Sequence, residues 1–198
     1  MTSHRVESAA PAGAGDAGHR PRAYDVRRVR AEEWPQARAL RLEALADPAA
    51  PVAFLETLAK AQERPDEFWR LRARDAARGD DVVQVVAVAR ENGHWVGTVT
   101  GLLEEPGSED LAGRVVERRQ VHLVAVYVSP EHRGRGLLGL LVDEALAWAR
   151  GRGVERARLF AHVDNPRAQA AYGRLGFAPT GQGFTSEAGE ELEMARAL

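Results

Sequence analysis

The run Arg133-Gly134-Arg135-Gly136 lies between an apolar strand-like stretch, His122 to Val128, and an apolar helix-like stretch that starts at Leu137. Residues of these types at this junction could hold phosphate. The two glycines let the main chain approach a ligand without Cβ hindrance. The first amides of the new helix have no i−4 partner, and their partial positive charge favours an anion in the turn. Arg133 and Arg135 add forked, fully charged donors. Farther on, Asn165-Pro166 opens a second helix that carries Tyr172. His122, His162, Glu104 and Glu105 stand at strand ends, where they could take a proton or hold a cationic amine. His94 and His132 lack companions at metal-ligand spacing, so no metal is expected. The chain has no cysteine, which removes any covalent-cysteine chemistry.

Which phosphate ligand such a turn would hold depends on its setting. Gly134-x-Gly136-x-x-Gly139 matches the dinucleotide fingerprint literally, and Asp164 could imitate the ribose-binding carboxylate. Three features oppose that reading. Ser129 to Arg133 intervenes between strand and glycine turn, only residues 154–198 remain to build a doubly wound sheet, and the two arginines have no place in the dinucleotide motif. No Gly-Lys-Ser or Gly-Lys-Thr closes the turn, so it is not a P-loop.

The elements that must position these residues follow from hydrophobic period and punctuation. Residues 1–23, rich in Ala, Gly and Pro, read as a disordered tail or an upstream extension; residues 24–198 read as one domain. A short strand from Tyr24 is followed by helices over 33–46, 54–61 and 65–78. Strands over 81–90 and 94–103 flank Asn92-Gly93, a two-residue hairpin signal. A strand at 120–128, a helix at 136–150, a strand at 156–163 and a helix at 166–175 come next. A pair over 177–184 and 191–197 closes the chain. The order βααα-ββ-βαβα-ββ predicts an α/β fold whose mixed sheet contains one parallel βαβ unit around the cradle.

Composition sets outer limits. Charged residues balance at 27 basic against 29 acidic, which gives no field of the kind nucleic acid requires. No apolar run has the length of a membrane span and no signal-peptide core opens the chain, so a cytoplasmic place and no membrane partner are expected.

Val126-Tyr-Val-Ser-Pro-Glu-His-Arg-Gly-Arg-Gly-Leu-Leu-Gly-Leu-Leu and Asn165-Pro-Arg-Ala-Gln-Ala-Ala-Tyr172-Gly-Arg-Leu-Gly-Phe177, at this separation, resemble the two signature blocks of the GNAT superfamily of acyl-CoA-dependent N-acyltransferases. The resemblance covers roughly residues 80–197; Glu131 stands where the strict motif has Gln or Arg. It implies a mostly antiparallel sheet with a splayed parallel strand pair, and acetyl-CoA lying in the splay. The cofactor's pyrophosphate would rest on the main chain of Arg133, Gly134, Arg135, Gly136, Leu137, Leu138 and Gly139. Its pantetheine arm would pair with the backbone of Val126, Tyr127 and Val128, and a main-chain N–H near Val126 would hold the thioester oxygen. The side chains of Val126 and Val128 read as core. Asn165 would bond the pantetheine arm, beside its plain reading as a helix N-cap. Tyr172 would protonate the departing thiolate, beside its plain reading as a packing residue. For the base, His122 stands where some members of the family carry a catalytic Glu, with Glu104, Glu105 and His162 as rivals; each also reads as an ordinary packed or solvated residue.

The expected function is transfer of an acetyl group from acetyl-CoA to a primary amine of a small molecule or peptide, by direct attack in a ternary complex. An acyl-CoA sensor without catalysis and a nicotinamide-binding protein are the alternatives. The N-terminal helices and the loop at 104–118 would meet the acceptor; Arg38, Arg41, Phe54, Phe68 and Trp69 lie in the helices, at spacings equally suited to core. The closing strands could pair between subunits in a homodimer.

Overall fold

The computed structural model describes residues 23–110 and 112–198. The tail expected over 1–23 lies outside them apart from Ala23. Seven strands, β1 (Tyr24–Arg28), β2 (Val82–Ala89), β3 (Trp95–Glu104), β4 (Gln120–Val128), β5 (Arg156–His162), β6 (Ala178–Ser186) and β7 (Gly189–Ala197), form one sheet in the order β1-β2-β3-β4-β5-β7-β6. Every neighbouring pair is antiparallel except β4 and β5. Five helices accompany it: α1 (Trp34–Ala46), α2 (Leu58–Gln62), α3 (Asp66–Arg78), α4 (Leu137–Arg150) and α5 (Pro166–Arg174). The element order and the mixed, mostly antiparallel sheet agree with the expectation from sequence.

Strand alternation sends side chains to two cores. On one face Val83, Val85, Leu123 and Leu159 pack against Leu141, Leu146 and Trp148 of α4, and Tyr172 of α5 joins the same cluster. On the other face Val86 meets Ala76 of α3, and Tyr127 meets Leu40 and Ala44 of α1. Each fully buried leucine of α4 contributes about 1.5–3 kcal/mol relative to exposure. Helix α4 and α5 therefore cover one face, and α1 and α3 the other.

Strands β4 and β5 pair only through Val121 with Ala157 and His122 with Arg158, then separate. The separation begins where β4 bulges: Thr98 of β3 opposes Tyr127 and Thr100 opposes Val124, so β4 carries one extra residue between them. Ala125 takes φ 51°, a left-handed conformation that costs an L-residue roughly 1–2 kcal/mol. The extra residue also reverses the alternation. Val121 and Leu123 face α4, and so do Val126 and Val128, leaving Tyr127 on the opposite face. An unbulged strand would have put Tyr127 in the α4 core.

Two local expectations are corrected. The helix expected over 54–61 begins only at Leu58, because the Thr57 side chain caps it by accepting from the Lys60 N–H, leaving residues 53–57 as an irregular wall segment. The β2–β3 connection is longer than a two-residue turn: Ala89 N–H donates to His94 O across it, and Gly93 supplies the positive φ of 73°. Among the described residues, no helix is long and apolar enough to cross a membrane.

Candidate active site

The cradle is built at the start of α4. Gly134 and Gly136 take φ 75° and 76°, which a side chain would strain, and Gly136 stands at the N-cap position with no side-chain cap. Hydrogen bonds within α4's first turn begin with Gly139 N–H to Gly136 O. The N–H groups of Gly134, Arg135, Gly136, Leu137 and Leu138 have no acceptor among the described residues. Five unpartnered donors at the positive end of a 14-residue helix fit a diphosphate. The two arginines are not equivalent. Arg133 turns back: its Nε donates to Val128 O at 2.7 Å and its Nη2 to Asp47 at 2.5 Å, tying the turn to the end of α1. The Arg135 side chain is exposed and bonds nothing among the described residues. Arg133 thus shapes the cradle, and Arg135 is the free charge beside it.

A cavity of about 680 Å³ runs from this cradle through the gap between β4 and β5. Gly134, Gly136 and Leu138 line it at one end, Ala125, Val126 and Val128 along the middle, and His122, Phe160 and Glu191 toward the other. A more open hollow of about 850 Å³, beside Arg118, Glu155 and Arg196, holds none of the candidate catalytic or cofactor-binding residues.

His122 is 1 % exposed, and its Nδ1 lies 3.1 Å from Glu104 Oε1. A carboxylate only accepts, so Nδ1 carries the proton and Nε2 presents its lone pair. Nε2 has no partner among the described residues, and His122 lines the cavity. Glu104 is buried as well, and no solvated loop edge. Burial alone pushes its carboxyl up, but hydrogen bonds from His122 and from Arg158 outweigh that and bring it down to about 2. Arg158 grips it with both Nε (2.8 Å) and Nη2 (2.7 Å). Glu104 stays ionised and fixes the His122 tautomer. The rivals fare differently. Glu105 is exposed and paired with Arg119. His162 has both ring nitrogens engaged, Nε2 donating to Ala188 O and Nδ1 accepting from Asp164 N–H, so it has no lone pair to offer.

Tyr172 is 9 % exposed, lines the cavity from the α5 side, and its hydroxyl has no partner among the described residues. Burial pushes its pKa well above the ordinary phenol value, so it stays protonated. Asn165 caps α5 through Oδ1, which accepts from Ala168 N–H, while Nδ2 donates to Val52 O. The capping role is the one realised inside the chain, and Nδ2 adds a strap to the segment before α2.

Residues 32–177 match the acetyltransferase (GNAT) family. The chain belongs to that family. It is 46 % identical over 52 residues to a mycothiol acetyltransferase of Beutenbergia cavernae (26 % of this chain, 18 % of that one). It is 34 % identical over 97 residues to N-acetyltransferase 8 of Rattus norvegicus (49 % and 40 %). The chain therefore spans less than half the length of either relative. In three dimensions it follows a phosphinothricin acetyltransferase of the GNAT superfamily from Sinorhizobium meliloti, solved in complex with AcCoA. That match has a TM-score of 0.66 at 20 % identity over 89 % of each chain.

Several residues of this GNAT chain that shape the site escaped the sequence reading. Arg158, Asp110 and Glu193 form a buried ion cluster around Glu104; Arg158 Nη1 lies 3.1 Å from each of the other two carboxylates. An arginine between Ala157 and Leu159, in an otherwise apolar strand, was the signal available. Glu43 accepts from both the Tyr127 and the Ser129 hydroxyls, a pairing that nothing local announces. Glu191 and Arg72 also reach the cavity, as does Arg41, which the sequence placed in the acceptor-facing helices without a role. No cluster of three or more potential metal ligands occurs among the described residues.

Proposed function

We propose that the protein is an N-acetyltransferase that moves the acetyl group of acetyl-CoA to a primary amine by direct attack in a ternary complex. The observation that carries this reading is the row of unpartnered amides opening into the β4–β5 gap. It is a diphosphate site continuous with a slot of free strand backbone. The family membership supports it, and so does the AcCoA complex of the Sinorhizobium meliloti protein.

The two sheet faces divide the chemistry. Strand β5 alternates so that Ala157, Leu159 and Ala161 face α4, while Arg158, Phe160 and His162 point to the opposite face of the sheet. His122 pairs in register with Arg158 and shares that second face; Tyr172 belongs to the first. Cofactor held at the α4 cradle would present its thioester in the gap, and the amine would enter from the α1–α3 side. His122 Nε2 takes a proton from the amine, directly or through one water. The amine nitrogen bonds to the thioester carbon, and the oxyanion rests on a β4 main-chain N–H near Val126. The C–S bond then breaks and the electron pair leaves with sulfur. Tyr172 donates a hydrogen bond to that sulfur. A thiol has an ordinary pKa near 8.5, below that of the raised phenol, so stabilising the thiolate asks for no complete proton transfer.

Release of free thiol from acetyl-CoA with a panel of amines tests the activity. Calorimetry of coenzyme A against wild type and Arg135→Glu tests the site. The variant is expected to bind about 10–100-fold more weakly, since it exchanges a charge-assisted contact for repulsion. Equal binding by both proteins, or binding of NADH in place of coenzyme A, would overturn the reading. Tyr172→Phe is expected to lower kcat about 10-fold or more through the lost charge-assisted hydrogen bond, with the KM for acetyl-CoA little changed. Single-turnover kinetics separates that loss from slower product release.

A further inference from the structure

The cavity end on the α1–α3 face carries a charge arrangement that the acetyl-transfer chemistry does not use. Arg41 of α1, Arg72 of α3 and Glu56 of the irregular segment before α2 all line it. Glu56 is the shared counter-ion. Arg41 Nη2 reaches Glu56 Oε2 at 3.2 Å, and Arg64 Nε reaches Oε1 at 3.6 Å. Arg72 has no carboxylate within ion-pair distance among the described residues; its guanidinium lies 5.5 Å from the Phe68 ring centroid. Three guanidinium groups thus surround one carboxylate, and positive charge is in excess where an acceptor would enter.

Arg41 also keeps an unmet donor. Its Nη1 is buried and has no hydrogen-bond partner among the described residues. The guanidinium is fixed in place, stacked 4.6 Å from the Phe54 ring centroid and bonded through Nε and Nη2 to Glu56. A buried charged donor without an acceptor is costly unless something supplies one. Burial, and then the neighbouring charge of Arg72, hold Arg41 below its ordinary pKa while Glu56 opposes them, so an added anion there would act in the same sense as Glu56.

The opposite wall has the complementary character. Glu191 lines the cavity in register with His162, on the same face as His122. A carboxylate on that face adds attraction for an ammonium group entering toward His122. The two walls together describe a zwitterion.

We infer that the acceptor is a small amine carrying an anionic group, a carboxylate or a phosphate, which docks between Arg41 and Arg72 while its amine faces His122. The inference rests on the acetyl-transfer reading above and names the substrate class of that same site. Planar guanidinium forks match either anion, and Arg41 has the free N–H in a fixed orientation.

The test uses matched acceptors: α- and ω-amino acids, their carboxamides, and aminoalkyl phosphates with the corresponding amino alcohols. Thiol release is followed for wild type, Arg41→Gln and Arg72→Gln. Wild type is expected to favour the anionic member of each pair by about 10–100-fold in kcat/KM, mostly through KM. That ratio is expected to fall toward unity in Arg72→Gln, which alters a solvent-reaching side chain, and in Arg41→Gln if the variant folds. The phosphate and carboxylate series distinguish the two anions. Neutral amines used as well as anionic ones would overturn the inference, as would a preference that survives Arg72→Gln. Acetylation of none of these amines by a protein that binds coenzyme A would overturn it too. Failure to bind coenzyme A at all would instead overturn the acetyl-transfer reading beneath it.

Discussion

Replacing His122 by glutamine is expected to lower kcat by about 10²–10⁴-fold, the usual contribution of a positioned general base, while the KM for acetyl-CoA stays close to wild type. Two features make the effect large. The Nδ1 proton is committed to Glu104, so the one lone pair of the ring is free on the cavity side, and the rival His162 cannot substitute because both its nitrogens are engaged. Glutamine keeps roughly the length of the imidazole and can still hydrogen-bond to Glu104, so the fold should survive. A fall in kcat with the KM for acetyl-CoA unchanged is the deciding readout. Turnover within a few-fold of wild type would remove His122 from the chemistry and leave deprotonation to water.

The comparison of His122 with Asp47 shows what the sequence could and could not convey. The turn proposed to hold phosphate is local: strand, glycine turn and helix start occupy adjacent residues, and their geometry follows from positive φ and uncapped amides within a few positions of Gly136. The order of elements along the chain was legible for a related reason, since period-two and helical stretches alternate with clear punctuation. The bulge was not. Ala125 is an ordinary strand residue by type, and only the pairing of β4 with β3 forces it to φ 51°. Nor could sequence choose among the candidate bases. Glu104 and Glu105 are neighbours of the same type, yet one is buried against Arg158, 54 residues away, and the other is exposed. Arg133 read as a phosphate ligand because its partner Asp47, 86 residues away, read as a helix stop. Contacts at such separations are set by packing two elements, which no local pattern encodes.

The buried ion cluster yields the second large effect, and here stability and catalysis can be pulled apart. Arg114, Arg156 and Arg158 face Glu104, Asp110 and Glu193, three charges against three. Glu104→Leu removes one carboxylate and leaves Arg158 underpaired in a buried setting, which is expected to cost about 3–5 kcal/mol of unfolding free energy. Arg158→Met should cost a similar amount for the opposite reason. The double variant restores the balance, because Asp110 keeps Arg114 and Glu193 keeps Arg156. It should therefore be more stable than either single variant, a coupling that a double-mutant cycle in urea reads directly. Strict additivity would mean that the two side chains do not act as a pair. Acid sensitivity gives an independent check. The Glu104 carboxyl sits at about 2, below its ordinary 4.5, so the stability it contributes is complete above pH 4.5 and is lost as pH falls toward 2. Asp110, also at about 2, adds to the same limb. The double variant should show a shallower loss of stability over that range than wild type. Its turnover should nevertheless stay depressed near neutral pH, since His122 has lost the carboxylate that fixes its tautomer. A stable double variant with wild-type turnover would assign Glu104 to the fold alone.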